Sequence, residues 1–282
     1  MQIKKIIIGV TQFGMPYGIM NKSNENRKKK LKEILKYARK KKIKFLYTSK
    51  YYGDSNKILN SENLNYFNIF TKFKSEDLLD EKFVLEFNKI KKNFKKKNLI
   101  LILDGFEKLN FKKASKVYEI LLNLKSKNSI NKFGYSIYFF KNLKKICKNF
   151  KPNILQCPYS IIDRRIEHKK LPQYLKFNNI ELHVRSIFLQ GLLTNDPSRL
   201  PKKFLKWKKN FLIFKTSMSQ QKITNLNGCL NFVQNNKYIK KILIGIDNLD
   251  QLKEIINIKS NKKIKFPNIF VRNKKLIDPS EW

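Results

Sequence analysis

The stretch FLYTSKYYGDSNKIL, residues 45–59, has the pattern of a β-strand that runs directly into a helix. Its first half is rich in β-branched and aromatic residues, and a Gly-Asp-Ser turn marks the entrance to the helix. Two tyrosines, Tyr51 and Tyr52, stand immediately before that turn. The stretch predicts either an ordinary corner between a strand and a helix or the place where an enzyme holds a proton.

The same unit recurs along the whole chain. Lys-rich stretches whose apolar residues are three and four positions apart, the spacing of an amphipathic helix, separate short β-rich runs. Those runs are KIIIG (5–9), KFLYTS (44–49), NIFTK (68–72), LILILD (99–104), KFGYSIY (132–138), NILQCPYS (153–160), IELHVRSI (180–187) and KKILIGI (240–246). They are nearly continuous in apolar residues, as expected for strands covered on both sides. Eight such strands, each followed by a helical pattern, predict a single-domain (β/α)8 TIM barrel across residues 1–282.

Composition agrees with a folded enzyme-sized domain. The 282 residues are 41% hydrophobic, which is sufficient for a core, and the formal net charge is +41. Only seven of the 62 basic residues are arginine, and the lysines are spread along the chain. Because arginine is the better bidentate reader of phosphates and base edges, this excess predicts a solvated basic surface and no specific nucleic-acid site. Non-specific binding of polyanions at low salt stays open.

The cysteines and the chain start bear on the compartment. Cys147, Cys157 and Cys229 are odd in number and lack CxxC spacing, which is typical of a reducing compartment. The apolar run near the start is too short for a signal peptide, and no stretch approaches the ~20 apolar residues of a membrane span. The sequence predicts a cytoplasmic protein without membrane association, either a monomer or a weak oligomer.

The connection after the seventh strand is unusually long, from about residue 193 to 236. It contains NDPSRLP (195–201) and then two weaker amphipathic stretches. Loops at the C-terminal ends of barrel strands carry function, so we expect this connection to cover a substrate or a cofactor.

Polar residues at the C-terminal ends of the predicted strands are the first candidates for a site. They are Thr48, Lys72, Asp104, Ser136, Gln156, Arg185, Ser186, Gly245 and Asp247. Lys72 closes a buried strand and must be paired or neutral there, unless it simply leaves the barrel for solvent. With only two histidines, His168 and His183, and no HExxH pattern, neither a metal site nor a histidine triad is expected.

Seven segments, in order, resemble the aldo-keto reductase family, in particular a bacterial branch often found near sugar or surface-polysaccharide biosynthesis genes. They are GVTQFGMPYGIMN (9–21), YTSKYYGDSNKIL (47–59), FTK (70–72), GYSIY (134–138), QCPYSIIDRR (156–165), RSIFLQGLL (185–193) and LIGIDNLDQLKEI (243–255). The resemblance covers nearly the whole chain and implies the same barrel fold. It also implies hydride transfer between a nicotinamide and a carbonyl.

In this resemblance Tyr52 matches the proton donor and Lys72 matches the lysine that would lower the pKa of that tyrosine. The family also has an aspartate at the end of the second strand and a histidine at the end of the fourth. Tyr47 and Asp104 stand at those two positions. Since the third strand lies between the second and the fourth, Asp104 would flank Lys72 and replace the missing counter-ion. Decay of the catalytic site and a shift of the alignment are the alternatives.

The residues matched to the family's cofactor-binding positions agree with the family pattern better than the catalytic positions do. The resemblance implies that Ser136 and Gln156 hold the nicotinamide carboxamide, while Ser160 stands where the family has asparagine. Arg185, followed by Ser186, matches the place of an aromatic residue that stacks on the nicotinamide, and a planar guanidinium can also stack.

The last strand and its loop match the segment that holds the rest of the cofactor. Gly245 would allow close approach of the pyrophosphate, and Gln251 and Glu254 fit the adenosine contacts. Asp247 lies between Gly245 and Gln251 in the sequence. NADP is the cofactor expected from the family. The acidic IDNLD (246–250) lacks the lysine or arginine that binds the 2′-phosphate, so NAD is admissible.

Three functions follow from these observations. The first is an NAD(P)H-dependent reductase of a small aldehyde, ketone or sugar-derived carbonyl. The second is a catalytically weakened barrel that binds a nucleotide or a partner without efficient turnover. The third, polyanion binding, depends on charge alone. Tyr47 and Asp104 separate the first two.

Overall fold

The structure is a computed structural model that describes residues 2–20, 26–94 and 99–282. Eight strands close into a barrel in the order of the chain, and every neighbouring pair is parallel. They are β1 Ile6–Gly9, β2 Phe45–Ser49, β3 Asn68–Lys74, β4 Leu99–Asp104, β5 Lys132–Ser136, β6 Ile154–Pro158, β7 Glu181–Arg185 and β8 Ile239–Gly245. The predicted single-domain (β/α)8 barrel is confirmed. Asn21, which ends the first of the seven quoted segments, lies outside the described residues.

Helices connect the strands on the outside of the barrel. In the described residues they are α1 Thr11–Gly14, α2 Arg27–Lys40, α3 Ser55–Asn60, α4 Phe83–Phe94, α5 Phe111–Ser126, α6 Leu143–Asn149, α7 Leu171–Phe177, α8 Lys208–Gln220, α9 Asn225–Gln234, α10 Leu249–Asn257 and α11 Lys274–Ile277. Helix α2 buries Leu31, Ile34, Leu35 and Ala38, the face that its sequence spacing predicts. The exposed lysines of this helix are Lys28, Lys29, Lys32, Lys36 and Lys40.

Two apolar layers hold the barrel. The larger lies between the strands and the surrounding helices, and a smaller one fills the barrel interior. The interior cluster consists of Ile7, Tyr47, Phe70, Ile100, Ile102 and Ile154. Because neighbouring parallel strands are in register, these side chains form a packed plug below the C-terminal strand ends. The polar residues at those ends therefore lie above an apolar floor.

The connection between β7 and β8 contains α8, α9 and three short 3-10 helices. Its apolar side chains form a separate cluster with residues near the C-terminus, which includes Phe204, Phe211, Phe214, Leu276 and Ile277. This cluster gives the connection a core of its own. It positions two of its segments, 186–195 and 224–226, at the C-terminal mouth of the barrel.

No helix among the described residues has the length and apolar character needed to span a bilayer. Nor do these residues contain a group of three or more His, Cys, Asp or Glu side chains arranged to hold a metal ion.

Candidate active site

A cavity of about 510 Å³ opens at the C-terminal ends of the strands. Its wall includes all twelve site residues that the sequence predicted: Tyr47, Tyr52, Lys72, Asp104, Ser136, Gln156, Arg185, Ser186, Gly245, Asp247, Gln251 and Glu254. Thr48, another strand-end candidate, instead binds Asn56 Oδ1 at 2.7 Å at the start of α3. The structure therefore brings the twelve residues together, and their individual roles stay predictions.

Lys72 and Asp104 form an ion pair in this wall. Lys72 is in register with Ile102 on β4, and Asp104 follows two residues later on the same face of the strand. Lys72 Nζ lies 3.2 Å from Asp104 Oδ2, and the two side chains are 20% and 33% exposed. Lys72 thus stays within the cavity wall, and the alternative in which it leaves the barrel for solvent is wrong. The geometry expected for a relocated counter-ion is present.

Tyr52 lies beside this pair. The centroid of its ring is 5.6 Å from Lys72 Nζ. Its backbone is packed against α1: a Cβ atom at Gly14 would lie 1.9 Å from the carbonyl oxygen of Tyr52, so only glycine allows this approach. The corner that follows β2 is therefore held at a fixed distance from the loop after β1, and the phenol projects into the cavity.

Burial raises the pKa of Tyr52 to about 12, and the negative charge of Asp104 acts in the same direction. A hydrogen bond with Thr11 and the charge of Arg185 lower that pKa. Desolvation outweighs Arg185 and Thr11 in this balance. The phenol therefore carries its proton at neutral pH. The lowering of the pKa of Tyr52 by Lys72, which the sequence predicted, stays a prediction.

Tyr47 lies in the barrel interior, below the ion pair. It is fully buried, and its ring stacks on that of Phe70 with centroids 6.0 Å apart. Its hydroxyl donates to Gln156 Oε1 on the far side of the barrel at 3.0 Å. Burial raises the pKa of Tyr47 well above its usual range, so it is a neutral donor. The position matched to the family's aspartate holds a cross-barrel hydrogen bond.

The side-chain nitrogen of Gln156 is an unpaired hydrogen-bond donor among the described residues. Its side chain is fully buried and lines the cavity, and among the described residues its Nε2 has no hydrogen-bond partner. A buried amide that lacks a partner costs about 1–3 kcal/mol. A hydrogen-bond acceptor on a bound ligand could pair with this nitrogen.

Arg185 crosses the cavity wall from β7 to β5. Its Nε donates to Ser136 Oγ at 3.3 Å and its Nη2 to the carbonyl oxygen of Ile137 at 3.3 Å. The guanidinium carbon lies 3.9 Å from the ring centroid of Tyr138, so the two planar groups are packed together. The third contact, from Nη1 to Ser186 Oγ at 3.5 Å, is long.

Two glycines form part of the cavity wall at the ends of β1 and β8. Gly9 and Gly245 are register partners on β1 and β8, and both line the cavity. A Cβ atom at Gly245 would lie 2.3 Å from Gln12 Nε2, so a side chain here would displace its neighbour. Gly9 is buried and Gly245 is exposed, and Gln12 packs beside Gly245 in this glycine saddle.

The loop after β8 is ordered by its own side chains. Gln251 Oε1 accepts from the backbone N–H of Asp247 at 2.8 Å, and Gln251 Nε2 donates to Asp247 Oδ2 at 3.2 Å. Asn248 caps α10 by accepting from the N–H of Gln251 at 2.9 Å. Burial raises the pKa of Asp247, whereas Gln251 and Lys30 lower it. Gln251 therefore shapes the loop that presents the Asp247 carboxylate.

The sequence did not single out the residues that close the cavity. They come from the loop after β1 and from the connection after β7, and include Gln12, Tyr17, Gly18, Phe188, Gln190, Asn195 and Thr224. The backbone N–H of Ile19 donates to Gln190 Oε1 at 3.1 Å and joins the two segments. They are 171 positions apart, so no local pattern announces the contact. The sequence could have predicted Tyr138 as a site residue, since it stands two residues after Ser136 in the GYSIY segment.

Comparisons with known proteins point to one family. The family model described as "Aldo/keto reductase family" matches residues 5–265. A search of curated proteins found no match. Among solved structures, the holo form of an aldo-keto reductase from Bacillus halodurans is similar with a TM-score of 0.70 and 14% identity, covering 96% of this chain and 95% of that one. A putative aldo-keto reductase from Pseudomonas aeruginosa is similar with a TM-score of 0.64 and 13% identity, covering 90% of this chain and 88% of that one.

Proposed function

Because the chain belongs to the aldo/keto reductase family, we propose that it is an NAD(P)H-dependent oxidoreductase that reduces a small aldehyde, ketone or sugar-derived carbonyl. One observation carries the proposal. The cavity that holds Tyr52 and the Lys72–Asp104 ion pair is also lined by Gln156, whose buried Nε2 has no partner among the described residues. A proton donor and an unsatisfied amide-binding group thus share one wall.

The residues present fit a nicotinamide cofactor. Gln156 and Ser136 would hold its carboxamide, and the Gly9–Gly245 saddle would accept the pyrophosphate. Asp247, Gln251 and Glu254 would lie near the adenosine. A bound reduced nicotinamide supplies the hydride for the carbonyl carbon.

NADP is the cofactor expected from the family, and the loop after β8 makes NAD a serious competitor. Asp247 and Glu254 are the charged residues of the described cavity wall at this end. A 2′-phosphate would face both carboxylates, whereas the ribose hydroxyl of NAD would find an acceptor. Lys30 acts on Asp247 from α2 and reduces this penalty.

The chain's own residues would handle the proton and the carbonyl oxygen. Tyr52 keeps its proton at neutral pH because burial raises its pKa to about 12. It would donate that proton to the oxygen as negative charge develops there. Lys72, held by Asp104, is the cation next to Tyr52 and would stabilise the phenolate that remains.

The connection after β7 would exclude water from this reaction. Its segments 186–195 and 224–226 line the cavity, and Gln190 bonds the loop after β1. Excluding water strengthens the electrostatic interactions within the site. The role expected for residues 193–236 as a cover for substrate or cofactor is part of the proposal.

The hydrogen bond between Tyr47 and Gln156 favours a second candidate function. Tyr47 stands at the position matched to the family's aspartate, and its hydroxyl is engaged in the hydrogen bond with Gln156. Asp104 stands at the position of a histidine that could donate to the carbonyl oxygen. A missing donor in such a site often costs roughly 10² in rate or more. The second candidate is therefore a catalytically weakened barrel that keeps nucleotide binding.

The location and assembly proposed from the sequence are unchanged. The three cysteines are free and buried, which suits a reducing, cytoplasmic compartment. A monomer or weak oligomer stays a prediction.

Titration of the purified protein with NADPH and NADH, followed by nicotinamide fluorescence, tests the proposal directly. We expect a dissociation constant at or below roughly 100 μM for at least one of them, about −5.5 kcal/mol. Failure of both nucleotides to bind a folded protein at millimolar concentration would rule out both candidates. Tight binding without reduction of any carbonyl would select the weakened barrel.

A further inference from the structure

Arg185 is a cation that forms no ion pair with the described residues. The charge of Asp104 acts on Arg185, but the ion pair of Asp104 is with Lys72. The acceptors of Arg185 are the hydroxyls of Ser136 and Ser186 and the carbonyl of Ile137, all of them neutral. A charge in a protein wall without a counter-charge is costly unless a ligand supplies one.

The guanidinium also has hydrogen-bonding capacity left. It carries five N–H donors; contacts with Ser136, Ser186 and Ile137 engage three of them at 3.3–3.5 Å, and Tyr138 also interacts with the group. Packing on Tyr138 at 3.9 Å fixes the plane of the group, so the remaining N–H groups have a set direction. A planar fork of this kind matches a carboxylate in a bidentate arrangement.

From this geometry we infer that Arg185 binds a carboxylate carried by the substrate, so that the preferred substrate is a carbonyl acid. The inference rests on the proposed function and narrows its substrate class. At the ends of β3, β4 and β7 the cavity wall carries two cations, Lys72 and Arg185, and one carboxylate, Asp104, which is paired with Lys72. The other carboxylates of the wall, Asp247 and Glu254, follow β8, the strand from which Arg185 turns away. A substrate carboxylate would give Arg185 an ion pair of its own.

The sequence predicted that Arg185 stacks on the nicotinamide; in this proposal its edge binds the substrate while Tyr138 packs on its plane. The orientation of Arg185 also separates this role from binding of the cofactor pyrophosphate. Its side chain extends from β7 across β6 to Ser136 and Ile137 at the end of β5, away from β8. The saddle proposed for the pyrophosphate lies on β1 and β8, at Gly9 and Gly245. The charge of Arg185 acts on Tyr52, which lowers the pKa of that phenol. An anion bound by Arg185 would therefore be on the side of the proton donor.

The first experiment compares two aldehydes of equal chain length, succinic semialdehyde and butanal, with a fixed saturating nicotinamide. For the wild type we expect kcat/KM to be at least tenfold higher for the acid. In Arg185→Gln this ratio should fall at least tenfold, and Arg185→Lys should restore part of it because the charge is kept. Arg199→Gln, which removes an exposed arginine, is the matched control and should keep the wild-type ratio.

The second experiment does not need turnover. Succinate is titrated by calorimetry at about 150 mM salt, where surface charges are screened, with inorganic pyrophosphate as the other anion. We expect succinate binding that is lost or at least tenfold weaker in Arg185→Gln and unchanged in Arg199→Gln, while pyrophosphate binding depends less on Arg185. Thermal melting establishes that each variant is folded.

Equal preference for the two aldehydes in an active wild type would overturn the inference, as would succinate binding that is insensitive to Arg185. A larger loss for pyrophosphate than for succinate would assign Arg185 to the cofactor and also overturn it. Should neither aldehyde be reduced, the succinate titration alone decides. The nicotinamide titration is independent of all these results, so a failure of the proposed function is recognised separately.

Discussion

The phenol of Tyr47 on β2 and the amide of Gln156 on β6 meet across the interior of the barrel, with Tyr47 Oη donating to Gln156 Oε1 at 3.0 Å. The two strands lie on opposite sides of the eight-stranded ring. The bond engages Oε1 of the amide inside the protein, and Nε2 is left without a partner among the described residues in a side chain that lines the cavity. The tyrosine that stands where the family has an aspartate thereby orients the amide that we propose holds the nicotinamide carboxamide.

Removing the Tyr47 hydroxyl should weaken cofactor binding. In Tyr47→Phe the Gln156 amide loses its only fixed partner among the described residues and can rotate, so we expect the dissociation constant of NAD(P)H to rise about 2- to 10-fold, or roughly 0.5–1.5 kcal/mol. Fluorescence titration measures it. The matched control is Tyr135→Phe, which removes a buried hydroxyl bound to the carbonyl of Phe150 at 3.0 Å, outside the cavity. An equal loss of affinity in both variants would contradict the role of Tyr47.

Asp104→Asn tests the relocated counter-ion. The amide keeps the shape of the carboxylate, but Lys72 loses the charge that holds it at 3.2 Å. We expect reductase activity to fall by roughly 10- to 100-fold with little change in nucleotide affinity, measured as kcat and as dissociation constant. Unchanged kcat in a clearly active wild type would show that the ion pair is only structural.

Restoring the family's residues distinguishes relocation from decay. If the site is a weakened version of the ordinary one, Tyr47→Asp combined with Asp104→His should raise turnover. The structure adds a cost, because this double variant also breaks the bond between Tyr47 and Gln156. We therefore expect weaker nucleotide binding together with higher kcat at saturation. A double variant with lower kcat than the wild type argues against decay.

The raised pKa of Tyr52 predicts the pH profile. Its phenol stays protonated below a pKa of about 12, so the rate of carbonyl reduction should be level from about pH 6 to 10 as far as Tyr52 is concerned. Alcohol oxidation needs the phenolate and should rise about tenfold per pH unit over the same range.

Two tyrosine variants check that assignment. Tyr52→Phe should lose about 10²-fold or more of the activity in both directions. Tyr51→Phe is the neighbouring control, because its hydroxyl is bound to both oxygens of Asp77, at 2.6 and 2.8 Å, outside the cavity. If Tyr52→Phe retains measurable wild-type activity unchanged, the proton comes from another group.

The loop after β8 should set the choice between the two nucleotides. Asp247→Asn removes a carboxylate that a 2′-phosphate would face, so we expect the affinity for NADPH relative to NADH to rise roughly 3- to 10-fold, and further in Asp247→Arg. Asp250→Asn is the matched control, since Asp250 lies in the first turn of α10, three residues after Asp247, with its side chain 89% exposed. A ratio that shifts equally in both aspartate variants would mean that only the overall field matters.

Much of the candidate site was predictable once the fold was predicted. The alternation of apolar strands and amphipathic helices forces a parallel barrel, and all C-terminal strand ends of such a barrel meet at one mouth. Lys72 and Asp104 therefore had to be neighbours, since their strands follow one another in the chain. Gly245 and Asp247 reach the same cavity for the same reason.

The sequence by itself determined the eight βα units, the face that each helix buries and the set of strand-end residues, because periodicity and chain order are local properties. Only the tertiary structure decided which partners those residues have. Tyr47 binds Gln156, 109 positions away, and Arg185 turns to β5 and leaves the neighbouring β8. It also decided the net pKa of Tyr52, which burial raises. Side-chain direction and desolvation arise from contacts between distant segments, and no pattern within a single segment encodes them.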